Sequence, residues 1–400
     1  MTILDISICC IIILIGFNLK NVFPSFDKKD RKFLNQLFVF HFLVAVTFNF
    51  LVANNGGDAI VYWNFPKIND LDAVMRVVER GSASGVVYLI NYIPAHILEL
   101  SFFTGNMAYA LLGYIGFMYL YSIVKSTFTE ASYFEKFKIL GIPVLPWIWF
   151  LPNLHFWSSG IGKDTLLFFC IALFVYSLQH FRRRFLGIVI SVILSLVIRP
   201  HIMLFLIVSF GIGYTLDGRL KAYQKGIIFL LFVFLFASIF SYVLDFVKLE
   251  SLESQSISDY TSTKAANLNQ ADSSSGLDIS GYSYPVKVLT FLYRPFFFDI
   301  NGVLAILASI ENLILLLFTI TVFRNNPIKS FKKADFLMKG AVIYFIIGAL
   351  SFSLILGNLG IMLRQKNMFY PMFFLFGLWA YYRNFASSIT PTHESSSDHK

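Results

Sequence analysis

Charged residues are scarce in this sequence, and cysteine is nearly absent. Only 14% of its 400 residues are Asp, Glu, Lys or Arg, whereas 57% are hydrophobic. Soluble domains carry about 25% charged residues, so this composition excludes an ordinary soluble globular protein. The three cysteines, Cys9, Cys10 and Cys170, lie inside apolar runs without metal-ligand spacing, so we expect no disulfide framework, no metal and no cofactor.

Features of a cleavable leader and of a nucleic-acid-binding protein are also missing. The first apolar run, 3–17, has no basic segment before it and no small-residue cleavage site after it, so we predict a retained helix. The net charge is +9, but most Lys and Arg residues stand in short loops between apolar runs. That placement is typical of residues that set membrane topology, so we expect a lipid bilayer and no nucleic acid as partner.

Long apolar runs are what the sequence has in abundance. They are about 15–23 residues long, roughly what is needed to cross a hydrocarbon core of ~30 Å. The pattern predicts an all-α, polytopic membrane helix bundle in which residues 1–386 form a single integral membrane domain. We predict about eleven transmembrane helices, near 3–19, 36–53, 105–124, 138–152, 164–180, 185–199, 201–216, 226–247, 303–323, 337–356 and 367–382.

The basic loops orient this bundle. If they all face the cytoplasm, the N-terminus lies outside and the C-terminus inside. Two apolar segments that contain proline and charges, 85–103 and 286–300, are then predicted to be external interfacial helices. The external loop 248–302 has a Ser-rich part, 250–283, that we predict to be mobile, and residues 387–400 are predicted to be a disordered cytoplasmic tail.

The stretch HFWSSGIGKDTLLFF, 155–169, places two charges at the outer start of a predicted span. Lys163 and Asp164 stand where backbone N–H groups are unsatisfied and the helix dipole is positive, which suits an anion such as phosphate. The alternative is that Asp164 caps the helix and Lys163 reaches the lipid headgroups. A P-loop is excluded because Trp157 and Asp164 occupy the positions that require Gly and Ser or Thr.

Four more basic residues fall on the predicted outer side, against the positive-inside trend. They are Arg199 in SLVIRPHIMLF, Arg294 in FLYRPFFFD, and Arg364 and Lys366 in LGIMLRQKNMFY. We predict that they converge with Lys163 on one pocket, since Arg side chains bind phosphate oxygens bidentately. The alternative is that each of them merely anchors a helix end at the interface.

An acidic residue completes the predicted site. Asp58 in ANNGGDAIVYWNFPK directly follows a span, and Tyr62 and Trp63 come one helical turn later. These aromatic rings could stack on a sugar, and Asp58 could orient or deprotonate a hydroxyl. His155 and His201 are the other proton-transfer candidates, because imidazole titrates near neutrality. The alternative for Asp58 is a helix N-cap beside interfacial aromatics.

These segments together resemble the Wzy-type and EpsG-like polymerases of bacterial surface polysaccharides. The matching elements are an external G-D-x-x-x-Y-W, an interfacial helix, a string at a span start that is similar to F-W-S-x-G-x-K-D (FWSSGIGKD here, one residue longer), a span that ends in Arg or His, and an external Arg before the last span. They correspond here to 57–63, 88–103, 156–164, Arg199 with His201, and Arg364. The pattern departs from the family in having Lys163 where Arg is frequent.

The resemblance implies a membrane glycosyltransferase of the bacterial cytoplasmic membrane with its active site on the external face. It would transfer a growing glycan from one undecaprenyl diphosphate to another lipid-linked repeat unit, making O-antigen, capsule or exopolysaccharide. Candidate partners are the polyprenyl-diphosphate-linked oligosaccharide and the pathway's flippase and chain-length regulator. The alternatives are a single-sugar transferase using polyprenyl phosphate, a polysaccharide ligase, or a lipid-linked glycan flippase without chemistry.

Overall fold

The computed structural model describes residues 1–128, 131–217, parts of 221–237, 276–279, 281–300 and 302–389. Within these residues the fold is almost entirely helical, as predicted, with one antiparallel pair of two-residue strands, β1 (Lys138–Ile139) and β2 (Ile142–Pro143). Most of the predicted span 226–247 and of the predicted loop 250–283 lie outside the described residues. The predicted tail begins inside the last helix, which continues to Ile389.

The helices fall into two groups along the chain. The first group is α1 (Ile3–Leu19), α2 (Lys28–Asn55), α3 (Asp58–Ile68), α4 (Leu71–Glu79), α5 (Ala83–Tyr92), α6 (Phe102–Thr127), α7 (Val144–Trp147), α8 (Pro152–Trp157), α9 (Lys163–Leu178), α10 (Phe185–Ile198) and α11 (Pro200–Thr215). The second group is α12 (Tyr284–Tyr293), α13 (Val303–Arg324), α14 (Pro327–Lys333), α15 (Phe336–Ile355), α16 (Leu359–Lys366) and α17 (Tyr370–Ile389).

Local capping explains several helix boundaries. Asp27 accepts hydrogen bonds from the backbone N–H groups of Lys29 and Asp30, and the Asp30 carboxylate accepts one from the Asp27 N–H. This capping box starts α2 at Lys28, eight residues before the predicted span. The helix ends at Gly56 and Gly57, whose φ angles of 79° and 140° are in the region that favours glycine.

Five of the described helices are long and apolar enough to cross a membrane, judged by length and composition. The candidate spans are Ile3–Val22, Lys28–Asn55, Phe102–Thr127, Val303–Arg324 and Phe336–Ile355, and α10 and α11 are shorter apolar helices. The protein is therefore a multi-pass helical membrane protein. The predicted number of about eleven spans is not confirmed.

The predicted span 138–152 is wrong as a single helix. The chain forms β1 and β2 around Leu140 and Gly141, which have φ angles of 50° and 81°, and continues through short helical turns into α8. Pro143 and Pro146 each lack the N–H that a helix interior needs, which prevents one continuous helix here. Apolar composition alone did not reveal this interruption.

Hydrogen bonds gather the basic segments at one end of the bundle, which we call the basic end. Lys125 lies 3.2 Å from Asp27 and 3.1 Å from Asp30, joining the start of α2 to the end of α6. Further bonds join the remaining segments: Gln179 to Ser126, Lys339 to the Leu216 carbonyl, Trp379 to the Ser330 carbonyl, and Asn384 to Asn325.

The core contains polar ties and close backbone approaches between helices. Thr104 in α6 donates a 2.6 Å hydrogen bond to Asp5 in α1, and Asn106 donates a 3.0 Å bond to the Ala45 carbonyl in α2. α11 packs closely on α15 where Gly213 faces the backbone of Gly340, so a side chain at Gly213 would collide with that backbone. Small residues at such crossings are typical of helix packing in membranes.

Candidate functional site

Four separate segments bring charged side chains together at the end opposite the basic end. We call these residues the charged cluster: Asp58, Lys163, Asp164, Arg199 and Arg364. Asp58 is the first residue of α3, Lys163 and Asp164 open α9, Arg199 stands between α10 and α11, and Arg364 lies in the last turn of α16. Residues up to 306 positions apart in sequence therefore meet in one place.

Ion pairs connect the cluster through Asp164. Its Oδ2 accepts from Nε of Arg364, and its Oδ1 lies 3.2 Å from Nη2 of Arg199. Nη1 of Arg364 donates a 2.9 Å bond to Oδ2 of Asp58. The Asp164 side chain is only 9% exposed whereas that of Asp58 is 60% exposed. Asp164 is therefore the buried centre of the cluster, and Asp58 lies at its rim.

The backbone places these side chains for local reasons. Gly162 has a φ of 155°, which lets the chain turn abruptly into α9. Arg199 has an extended backbone (φ −149°, ψ 87°) because Pro200 follows it and disfavours helical geometry at the preceding residue. Its side chain is held by Gln365, whose Oε1 accepts a 2.6 Å bond from Nη1 of Arg199.

The cluster has an excess of positive charge. Three cations face two carboxylates, which leaves a formal charge of +1 if all five groups are ionised. Lys163 has no carboxylate within ion-pair distance among the described residues, and its ammonium lies 5.5 Å from the centre of the Tyr62 ring. The guanidinium of Arg364 lies 5.3 Å from the Trp157 ring. Such an arrangement favours binding of an anion.

A cavity of about 440 Å³ adjoins the cluster. Asp58, Asp164, Arg364 and Trp157 line its polar side, and apolar residues of α2 such as Phe48 and Leu51 line the other. Gly160 also lines it, and the ring of Phe48 occupies the space where a side chain at Gly160 would lie. The cavity thus places the guanidinium of Arg364 and the carboxylates of Asp58 and Asp164 beside an apolar wall, which suits a ligand that is both polar and partly apolar.

Burial gives Lys163 a titration near physiological pH. Burial lowers its pKa to about 8, Arg199 and Arg364 also lower it, and Asp58 and Asp164 act in the opposite direction. The protonated ammonium prevails below that value and the neutral amine above it. Lys163 is the first residue of α9 and precedes the apolar part of that helix.

We therefore predict that the affinity for inorganic diphosphate falls as pH rises through about 8, because Lys163 loses its charge. In Lys163→Arg this step should disappear, since guanidinium stays protonated. Isothermal titration calorimetry of the purified wild type and Lys163→Arg across this pH range would measure the effect. Comparing the two proteins removes the contribution from titration of diphosphate itself. Identical pH profiles in both would contradict a role for Lys163.

The structure brings Lys163, Arg199 and Arg364 together around Asp164, but only Arg364 lines the cavity. The predicted convergence is wrong for Arg294 and Lys366. Both Nε and Nη2 of Arg294 donate to Asp299, at 2.9 and 2.5 Å, and its Nη1 donates to the Tyr282 hydroxyl. Satisfied by these partners, Arg294 is held away from the cluster.

Lys366 is buried in a different polar group. Its side chain is 1% exposed and donates to the carbonyls of Leu292 and Arg294, each at 3.3 Å, and to Asn312. The reason is helical geometry: Arg364 and Lys366 are two positions apart on α16, about 200° around the helix axis, so they face opposite sides. Lys366 therefore joins α16 to α12 and α13, not to the cavity.

The two histidines and Trp63 also lie elsewhere. His155 is fully buried, with its Nδ1 2.8 Å from Nδ1 of His41 and its Nε2 2.6 Å from the Trp149 carbonyl. The ring of His201 packs on Phe205 and Phe352. Trp63 is 1% exposed and packs on Gly105, because it follows Tyr62 by about 100° on α3 and points into the core.

Two contributors were not predicted, Gln365 as the partner of Arg199 and Trp157 as a wall of the cavity beside Arg364. In the sequence, Trp157 breaks the P-loop pattern and belongs to the F-W-S string, and neither feature predicts a contact with a ligand. Gln365 stands between Arg364 and Lys366 in the string RQK. This position beside two basic residues is the one feature of the sequence that could have indicated a role for Gln365 in the site.

Among the described residues, no group of three or more His, Cys, Asp or Glu side chains is placed to hold a metal ion. No family model, curated protein or solved structure matches this chain. The fold and site define a multi-pass helical membrane protein with a cationic cluster at one end of the bundle.

Proposed function

We propose that this protein is a membrane glycosyltransferase that polymerises lipid-linked oligosaccharide repeat units into a surface polysaccharide. The observation that supports this is the charged cluster, in which Lys163, Arg199 and Arg364 gather with Asp58 and Asp164, and Arg364 reaches a cavity with an apolar wall. A sugar linked to a lipid diphosphate combines the same properties: a polar sugar, an anionic diphosphate and an apolar chain.

The proposed orientation puts the cluster outside the bacterial cytoplasmic membrane. The contacts among basic segments support it, because the basic end would face the cytoplasm under the positive-inside rule. Asp5 accepts hydrogen bonds from the Ser101 N–H and the Thr104 hydroxyl at the start of α6, away from the basic end, so the N-terminus would be external. The end of α17 reaches Asn325 at the basic end, so the C-terminus would be cytoplasmic.

The proposed reaction transfers a glycan to a hydroxyl group. The acceptor oxygen forms a bond to the anomeric carbon of the donor glycan, and the bond from that carbon to the diphosphate oxygen breaks. The electron pair leaves with the lipid diphosphate, and the cluster cations would stabilise its developing charge in a partly desolvated site. Asp58, the more exposed carboxylate, would accept the proton of the acceptor hydroxyl.

The assignment of sugar contacts shifts from the predicted aromatics. Trp157 lines the cavity, whereas Trp63 is buried in the core and the ring of Tyr62 lies beneath Lys163. We therefore assign stacking on the sugar to Trp157 and the support of Lys163 to Tyr62.

A reconstituted assay tests the function. Purified protein in detergent is incubated with undecaprenyl-diphosphate-linked repeat unit, and the products are separated by size. We expect a ladder of longer lipid-linked glycans. A flippase would not lengthen the glycan, a ligase would require a separate acceptor, and a single-sugar transferase would add one sugar only. Any of these three results would overturn the polymerase assignment.

A further inference from the structure

An apolar groove runs from the charged cavity along the outside of the bundle. Its walls are α2 and α13, and its floor includes α8 and α16. On α2 the lining residues Phe40, Val44, Thr47 and Leu51 follow spacings of four, three and four positions, so they form one stripe on one helix face. Opposite them α13 presents Leu304, Leu307 and Ala308.

This groove is continuous with the charged cavity. Both are lined by Leu51, Phe156, Trp157 and Leu304. The upper part of the groove has a volume of about 440 Å³. It passes into a lower part of about 900 Å³ through Phe40, Pro152, Leu307 and Glu311, which line both parts. The path therefore leads from Arg364 toward the basic end.

The dimensions suit an extended apolar chain. Along α13 the lining runs from Leu304 to Phe318, about 21 Å at the rise of an α-helix, which is most of a hydrocarbon core. Its carboxylates have partners within the fold: Asp299 is paired with Arg294, and Glu311 accepts a 2.8 Å bond from the Asn153 N–H. An occupant of the groove would thus meet mainly apolar side chains, with an anionic head at Arg364.

We propose that the groove between α2 and α13 holds the polyprenyl chain of a lipid diphosphate whose head lies in the charged cluster. This inference rests on the proposed function for the identity of the chain. A continuous path that begins at Arg364 and follows one face of α13 fits one polyprenyl chain better than the two acyl chains of a phospholipid. Ordinary membrane phospholipids are then the competing occupants that a test must exclude.

Binding without turnover tests the groove. Leu307→Trp and Thr47→Trp place a large ring inside it, on opposite walls. The matched controls are Ile306→Trp and Val46→Trp, neighbouring exposed residues that do not line it; Leu307 is 48% and Ile306 is 41% exposed. Each purified protein is titrated with undecaprenyl diphosphate, with the short-chain farnesyl diphosphate, and with inorganic diphosphate.

We expect the two groove variants to lose about tenfold or more in affinity for undecaprenyl diphosphate, and the two controls to keep wild-type affinity. Inorganic diphosphate should bind all five proteins equally, which also shows that the head site is folded. Wild-type protein should prefer the long chain to farnesyl diphosphate, and the groove variants should lose that preference.

Equal affinity of Leu307→Trp and Ile306→Trp for undecaprenyl diphosphate would overturn the proposal. So would competition by dioleoyl phosphatidate at the same concentration as undecaprenyl diphosphate, because the groove would then hold a phospholipid. A protein that binds the long chain in the groove but makes no polymer would refute only the proposed function. A protein that polymerises normally with the groove blocked would refute only the groove.

Discussion

Arg364→Ala is expected to lower the rate of polymer formation by about 10²–10³-fold, the effect of removing one fixed donor to a developing negative charge. Arg364 is the residue that contacts both carboxylates of the cluster, and its loss changes the formal charge of the cluster from +1 to zero. Initial rates with undecaprenyl-diphosphate-linked repeat unit and purified protein would measure the effect.

Two variants sharpen this test. Arg364→Lys keeps the charge but lacks the planar fork that contacts Asp58 and Asp164 together, so it should recover only part of the rate. Arg183→Ala removes an exposed arginine at the basic end and should leave the rate unchanged. Membrane insertion should be normal in all three proteins. If Arg364→Ala made polymer of wild-type chain length, the proposed role of Arg364 in the reaction would be contradicted.

Asp164→Asn is expected to be the most destabilising single change in the cluster. Asp164 is 9% exposed and pairs with Arg199 and Arg364. The neutral amide of asparagine would leave these two largely buried guanidinium groups without the negative charge of the carboxylate. Removing one partner of a buried pair costs about 3–5 kcal/mol. Reversible unfolding of the purified protein in mixed micelles would measure the loss in free energy.

The matched control for this prediction is Asp27→Asn. Asp27 also pairs with a cation, Lys125, but its side chain is 57% exposed at the basic end. Asparagine caps a helix as well as aspartate does, so the start of α2 should be preserved and the free energy of unfolding should barely change. Equal destabilisation by the two substitutions would contradict the central position assigned to Asp164.

Helix geometry, applied to single residues, would have corrected part of the predicted site. Arg364 and Lys366 are two positions apart, about 200° around the axis of a helix, so a helical segment points them to different sides. Tyr62 and Trp63 are only about 100° apart, and the burial of Trp63 became known from packing. Local helical geometry alone therefore separates Arg364 from Lys366. Local geometry could not have predicted the positions of Arg294 and His155, because their partners Asp299 and His41 became known only from the packing of the structure.

Composition and local pattern determined that this protein is a helical membrane protein and where its long helices lie. Apolar runs of sufficient length gave α1, α2, α6, α13 and α15, because a bilayer requires each span to satisfy its own backbone hydrogen bonds. Tertiary structure decided which charges meet. Asp164 pairs with Arg199 and Arg364 through contacts between distant segments, and their geometry depends on helix packing that no local pattern encodes.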